Sequence, residues 1–158
     1  MGNGELRIEK KLAVKFLSAF FLIFIIDQLI KYVFLQGFEF NSRCISLVLT
    51  FNKGVAFSMF AFLGAYLKYI QLILIGVLIY VFYKEKLIFT HPVISGILFA
   101  AALSNLSDRF IRGGVVDYVY WHCGFDFAIF NFADVCIDFS IIMFAYYYFF
   151  GKIPKKVA

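Results

Sequence analysis

The chain has 158 residues, 63% of them hydrophobic and 22% aromatic, with a formal net charge of +5. Its mean hydropathy of +0.89 excludes an ordinary soluble globular domain, and its length allows a single domain, 1–158, whose core is shared with lipid. The positive balance reads as a topology signal with some attraction to membrane lipid, and no nucleic-acid partner is expected.

Four apolar stretches are long enough, or nearly so, to cross a bilayer as helices, at about 12–35, 65–83, 92–108 and 133–150. Arg7, Lys10, Lys11 and Lys15 cluster at the start of the first. It continues through Asp27, Gln28 and Lys31 with no small-residue cleavage site, so it is expected to be a retained helix and not a removed signal segment. Asp27 and Lys31 are four residues apart on one helix face, which predicts an ion pair at the membrane edge.

The segment at about 37–64 is too long for a turn. In it Ile45, Leu47, Leu49 and Phe51 alternate with Ser46, Val48, Thr50 and Asn52, the period of a strand. Next come Asn52-Lys53-Gly54-Val55-Ala56-Phe57-Ser58, where Gly54 and Ala56 leave room for a backbone to approach a peptide closely. A small extracytoplasmic sheet resting on the membrane is expected, with an ordinary surface hairpin as the alternative.

Lys84 and Lys86 separate the second and third helices, and Pro92 suits a first helical position. The other long connection, at about 109–132, holds two strand-like arms, 115–121 and 125–130, around His122-Cys123-Gly124. Reversal near Cys123 would set Asp117 opposite Ile129. Gly151 and Pro154 close the last helix, and Lys152, Lys155 and Lys156 follow it.

An even number of crossings puts the three basic clusters on one side, which the positive-inside rule makes the cytoplasm. Asp27, Asp108, Asp117, Asp126, Asp134 and Asp138 then all fall in the opposite half. Carboxylates are costly in so apolar a chain and mark function.

Val115-Val116-Asp117-Tyr118 and Phe130-Asn131-Phe132-Ala133-Asp134 are the most informative of these acidic segments. Two carboxylates made to share a site cannot both ionise easily, so one keeps its proton near neutral pH. Such a pair can activate water and protonate an amide. From the residues alone, a membrane aspartic protease and two loop carboxylates capping helices remain open alternatives. Cys44, Cys123 and Cys136 lack metal-ligand spacing and make a poor zinc set with His122, so apolar packing or free thiols are expected and no metal. Asp138 either tunes the protonation of Asp134 or hydrogen-bonds a neighbouring helix. A proton-coupled transporter would instead need polar residues through both leaflets. Stretches such as 70–80 and 141–150, read as cytoplasmic halves, carry almost none beyond Gln71 and tyrosines.

In order and spacing the chain resembles the lipoprotein signal peptidases, also called signal peptidase II. Five blocks over roughly residues 20–140 carry the likeness. They are Asp27-Gln28 with Lys31, the segment from Asn52 to Ser58, Asn105-Leu106-Ser107-Asp108-Arg109, and the two aspartate segments.

The resemblance implies an α-helical integral membrane protein of the bacterial inner membrane, with four helices, both termini cytoplasmic and the active site at the outer face. Its implied activity is endopeptidase cleavage of the signal peptide from diacylglyceryl-modified prolipoproteins, without a cofactor. It further implies Asp117 and Asp134 as the catalytic pair. Asn52, Gly54, Ala56, Asn105, Asp108, Arg109 and Asn131 would line the site or hold substrate, and Asp27 and Lys31 would stand beside it structurally. One departure is visible: the family usually has glycine just before the Asn of its third block, where this chain has Ser104. Nothing in the residues bears on oligomeric state.

Overall fold

A computed structural model describes residues 3–54 and 61–151. Four helices are long and apolar enough to cross a membrane: α1 (Asn3–Leu35), α2 (Leu67–Lys84), α4 (Pro92–Ile111) and α5 (Phe132–Phe149). A single turn, α3 (Leu87–Thr90), links α2 to α4. Three short strands, β1 (Phe40–Asn41), β2 (Ile45–Asn52) and β3 (Val115–Trp121), form one antiparallel sheet in the order β1-β2-β3. The protein is thus a multi-pass helical membrane protein with a small sheet at one end of the bundle.

Helix α1 begins well before its apolar run, because the Glu- and Lys-rich start is itself helix-forming. At 33 residues it is about 50 Å long, beyond the ~30 Å of a hydrocarbon core, so its basic first turns extend past the lipid. Helix α4 is the central one. It is 67% buried across its span, against 6% for α1 and 17% for α2 and α5. The outer helices present Phe21, Ile73 and Ile142 outward, as lipid-facing surfaces must.

Small residues let α4 occupy the centre. Ser95, Ala100, Ala101 and Ser104 are fully buried, and small side chains allow helix backbones to approach in lipid, where no hydrophobic force drives helices together. The tightest approach is at Gly96, where an added Cβ would fall 2.5 Å from the Phe16 carbonyl oxygen of α1. Phe82, Leu98 and Phe99 form an apolar cluster lower in the bundle, with Phe16, Phe20 and Phe144 against it.

Register in the sheet positions the site. Strand β2 pairs with β3 through Leu47↔Val119 and Thr50↔Asp117, with an irregularity between them that leaves two residues of β2 opposite one of β3. Such a bulge bends a strand and re-aims side chains. The second arm of the expected hairpin is not a strand. Only Phe130 bridges, to Val119, so Asp117 does not lie opposite Ile129. Before Phe130 the arm keeps a backbone bond, from the Phe127 N–H to the Trp121 carbonyl at 2.9 Å, and 127–129 line a cavity in place of continuing the sheet. The free-thiol expectation is also corrected, since Cys44 and Cys123 form a disulfide across 79 residues of sequence, and Cys136 is the free, buried cysteine.

Candidate active site

Alternation along β3 separates packing from chemistry. Val116 and Tyr118 face α1, where the Tyr118 ring stacks on Phe34 with centroids 4.1 Å apart. Val115 and Asp117 face the other way, into a cavity. The Tyr118 hydroxyl accepts the Phe132 backbone N–H at 3.0 Å, so the same strand that carries Asp117 holds the first turn of α5.

Asp117 is 2% exposed. Its Oδ2 accepts from Asn52 Nδ2 at 2.9 Å and its Oδ1 from Asn131 Nδ2 at 2.7 Å. Asn52 is oriented by its own turn, its Oδ1 accepting the Gly54 N–H at 2.9 Å. Burial pushes the Asp117 carboxyl up from its ordinary 3.8 to about 6, with the nearby Asp134 adding to the rise, while the Asn52 and Asn131 hydrogen bonds and Lys31 pull the other way.

Asp134 stands in the first turn of α5, within a capping box. Asn131 Oδ1 accepts the Asp134 N–H at 2.9 Å and Asp134 Oδ2 accepts the Asn131 N–H at 3.0 Å. The helix-capping reading of this carboxylate therefore holds as local geometry. Capping leaves Oδ1 over, and that oxygen accepts from Asn105 Nδ2 at 2.8 Å. Asp117, in a strand, caps nothing.

Behind these two aspartates lies a buried charge network. Lys31, 0% exposed, is 2.7 Å from Asp27 Oδ2 and 2.7 Å from Asp108 Oδ2, and donates to Asn105 Oδ1 at 2.7 Å. Asp27 Oδ1 accepts the Ala133 N–H at 2.9 Å, and Asp108 Oδ2 accepts the Val116 N–H at 3.2 Å. Ala133 precedes Asp134 and Val116 precedes Asp117, so each carboxylate beside Lys31 holds the backbone just ahead of one cavity aspartate. Ser104 donates to Asp27 Oδ2 at 2.6 Å and accepts from Gln28 Nε2 at 2.8 Å. Ser104 in place of glycine thus adds a hydroxyl that holds Asp27. Arg112, on the next turn of chain after Asp108, pairs with it.

The cavity, about 330 Å³, is lined by the polar side chains of Asn52, Asn105, Arg109, Asp117 and Asp134 together with the apolar ones of Val115, Phe127, Ile129, Phe130 and Ile137. Asn131, Asp108, Asp27 and Lys31 hydrogen-bond or pair with these polar residues or with the backbone beside them. Gly54 meets them through its carbonyl, which accepts from the Arg109 guanidinium. Ala56 lies outside the described residues. Asp138, weighed above as a helix-to-helix hydrogen-bonding group, is exposed and lines the cavity. His122 is not among the cavity-lining residues and hydrogen-bonds Ser46 at 3.0 Å.

Gln71, expected in the half away from the aspartates, instead lies near the start of α2 and lines the same cavity. The signal that places it is the helix start at Leu67, which the apolar pattern alone leaves loose.

A cavity among membrane helices, lined by two carboxylates and by apolar side chains, has the groups a membrane hydrolase uses. Residues 19–150 match the family model described as signal peptidase (SPase) II. Among curated relatives, a lipoprotein signal peptidase of Helicobacter pylori (strain HPAG1) is 49% identical over 154 residues, covering 96% of this chain and 98% of the relative. One of Wolinella succinogenes is 56% identical over 137 residues, covering 86% and 94%. One of Sulfurimonas denitrificans is 59% identical over 121 residues, covering 76% and 78%. A solved structure described as a bacterial membrane enzyme determined by the in meso method at 2.3 Å superposes with a TM-score of 0.74 at 26% identity, covering 90% of this chain and 92% of that one. The class is that of multi-pass membrane peptidases. Within it, the chain belongs to the signal peptidase II family.

Proposed function

We propose that the protein is an aspartic endopeptidase that removes the signal peptide from diacylglyceryl-modified prolipoproteins, cutting immediately before the lipidated cysteine. Asp117 and Asp134 are its catalytic pair. The observation that carries this reading is that Asn131 holds both: its side chain donates to Asp117 and its backbone N–H to Asp134, at the wall of one cavity.

Between the two carboxyl groups, held by a shared proton, a water is deprotonated by the ionised member and attacks the scissile carbonyl. The protonated member donates to the carbonyl oxygen as the tetrahedral diol forms. Collapse of the diol breaks the C–N bond as a proton passes to the cysteine nitrogen, leaving a carboxylate on the signal peptide and a free amine on the lipidated cysteine. The two titrations belong to the pair and not to either residue. No metal or organic cofactor takes part in this scheme.

The apolar lining residues Phe127, Ile129, Phe130 and Ile137 suit a signal-peptide segment, and lipid chains would lie along the outward faces of α2 and α5. Basic residues at the N-terminus and between α2 and α4 favour a bacterial inner-membrane orientation with both termini cytoplasmic and the cavity at the outer face. The Cys44–Cys123 disulfide supports the same orientation, since such bonds persist in oxidising compartments.

The test is cleavage by purified protein in detergent, given diacylated and non-lipidated forms of one prolipoprotein. Release of the signal peptide from the diacylated form alone is expected. Equal cleavage of both, or of neither, would overturn the substrate assignment.

A further inference from the structure

Among the described residues, two buried side-chain polar atoms lack a hydrogen-bond partner: Gln71 Oε1 and Arg109 Nε. Both residues line the cavity that holds Asp117 and Asp134. Native proteins rarely leave such atoms unpaired, and in a lipid-surrounded bundle the cost is greater still. The coincidence of both with one cavity is the informative point.

The two atoms are of opposite polarity. Gln71 Oε1 is an acceptor and Arg109 Nε is a donor. An extended peptide offers the matching pair, N–H and C=O, along its main chain. A signal peptide must be unwound where it is cut, and its freed backbone groups then need partners in a cavity from which it has displaced water.

Helix α2 gives no packing reason for a glutamine here. Its neighbours Ile70, Leu72 and Ile73 are exposed along the apolar surface of the helix, and Gln71 is the helix's sole carboxamide.

We propose that Gln71 is a substrate-positioning residue whose carboxamide oxygen accepts one main-chain N–H of the bound peptide near the scissile bond, in the cavity that Asp117 and Asp134 also line. A lipid ester cannot meet this need, because its oxygens only accept. The inference rests on the endopeptidase reading above and adds to it a residue outside the five sequence blocks.

The experiment is a cycle between the protein and its substrate. Wild type and Gln71→Leu are compared on a diacylated peptide spanning the cleavage site, and on versions in which one backbone amide at a time is N-methylated. On the parent peptide, Gln71→Leu is expected to lower kcat/KM by about fivefold to tenfold, mostly through KM. On one N-methylated peptide that loss should vanish, because the N–H that Gln71 receives is already gone. A loss of the same size on every peptide, or no loss on the parent, overturns the proposal. Should Gln71→Leu fail to give folded protein, Gln71→Met enters the same cycle. Normal turnover by Asp117→Asn or Asp134→Asn would instead defeat the catalytic-pair reading, whatever the Gln71 result.

Discussion

Asn131 donates its side-chain N–H to Asp117 at 2.7 Å while serving as the N-cap of the helix that carries Asp134. One residue therefore sets the strand-borne carboxylate against the helix-borne one. Asn131 is fully buried, so it has no water to exchange with and its geometry is set by these partners. Substituting it disturbs both aspartates at once.

Asp117 makes stability and activity depend on pH in a calculable direction. Its folded carboxyl sits near 6, above its ordinary 3.8. The folded state thus favours the protonated form, and stability falls as pH rises from about 4 to about 6. The full shift corresponds to about 3 kcal/mol. Asp117→Asn removes that penalty, so its thermal midpoint in detergent should exceed wild type at pH 8 and match it at pH 4. A variant no more stable than wild type at pH 8 would contradict the buried, desolvated carboxyl. In the same way kcat/KM should decline as pH rises through the upper titration of the pair. Asn52→Ala, by removing a hydrogen bond that favours the carboxylate, should move that decline to higher pH.

Lys31 is expected to be the most sensitive structural position. Lys31→Met leaves Asp27 and Asp108 buried without their shared cation, at a cost of about 3–5 kcal/mol. Thermal unfolding should show a large drop, and adding Asp27→Asn to Lys31→Met should recover part of it, because Asp108 still has Arg112 whereas Asp27 has lost its cation. Equal stability of Lys31→Met and wild type would show that the network does not hold α1, α4 and α5 together.

The four spans were legible because lipid demands unbroken apolar runs, and the i,i+4 spacing of Asp27 and Lys31 announced their ion pair. What that spacing could not show is Asp108 completing it from α4, 77 residues after Lys31 in sequence. The hairpin arm at 125–130 reads as a strand from its alternation, yet 127–130 line a cavity and Phe130 alone forms a β-bridge among the described residues. Three cysteines with no regular spacing gave no hint of which two would meet, since β2 and β3 come together only through the long crossover via α2 and α4. Asp117 and Asp134 are 17 residues apart in chain, and although Asn131 with Asp134 three residues on reads as a helix cap, neither its bond to Asp117 nor the bulge in β2 has a local sequence signature.

Replacing both Cys44 and Cys123 by serine should lower stability by about 2–4 kcal/mol, the usual contribution of a disulfide closing a long loop. Turnover should persist at temperatures where the variant stays folded, because neither cysteine lines the cavity. Thiol labelling of denatured protein should detect Cys136 alone before reduction and all three cysteines after it. Three labelled thiols without reductant would refute the bond, and with it that part of the argument for an oxidising outer face.

The central claim is that Asp117 and Asp134 together activate the attacking water. It is tested most directly by turnover of the diacylated substrate by wild type, Asp117→Asn and Asp134→Asn, each first shown to be folded by its thermal transition. Each carboxamide cannot exchange the proton the reaction requires, so each variant should lose about a hundredfold to ten-thousandfold in rate, with substrate binding retained. Folded Asp117→Asn or Asp134→Asn protein that cleaves at near wild-type rate would contradict the account.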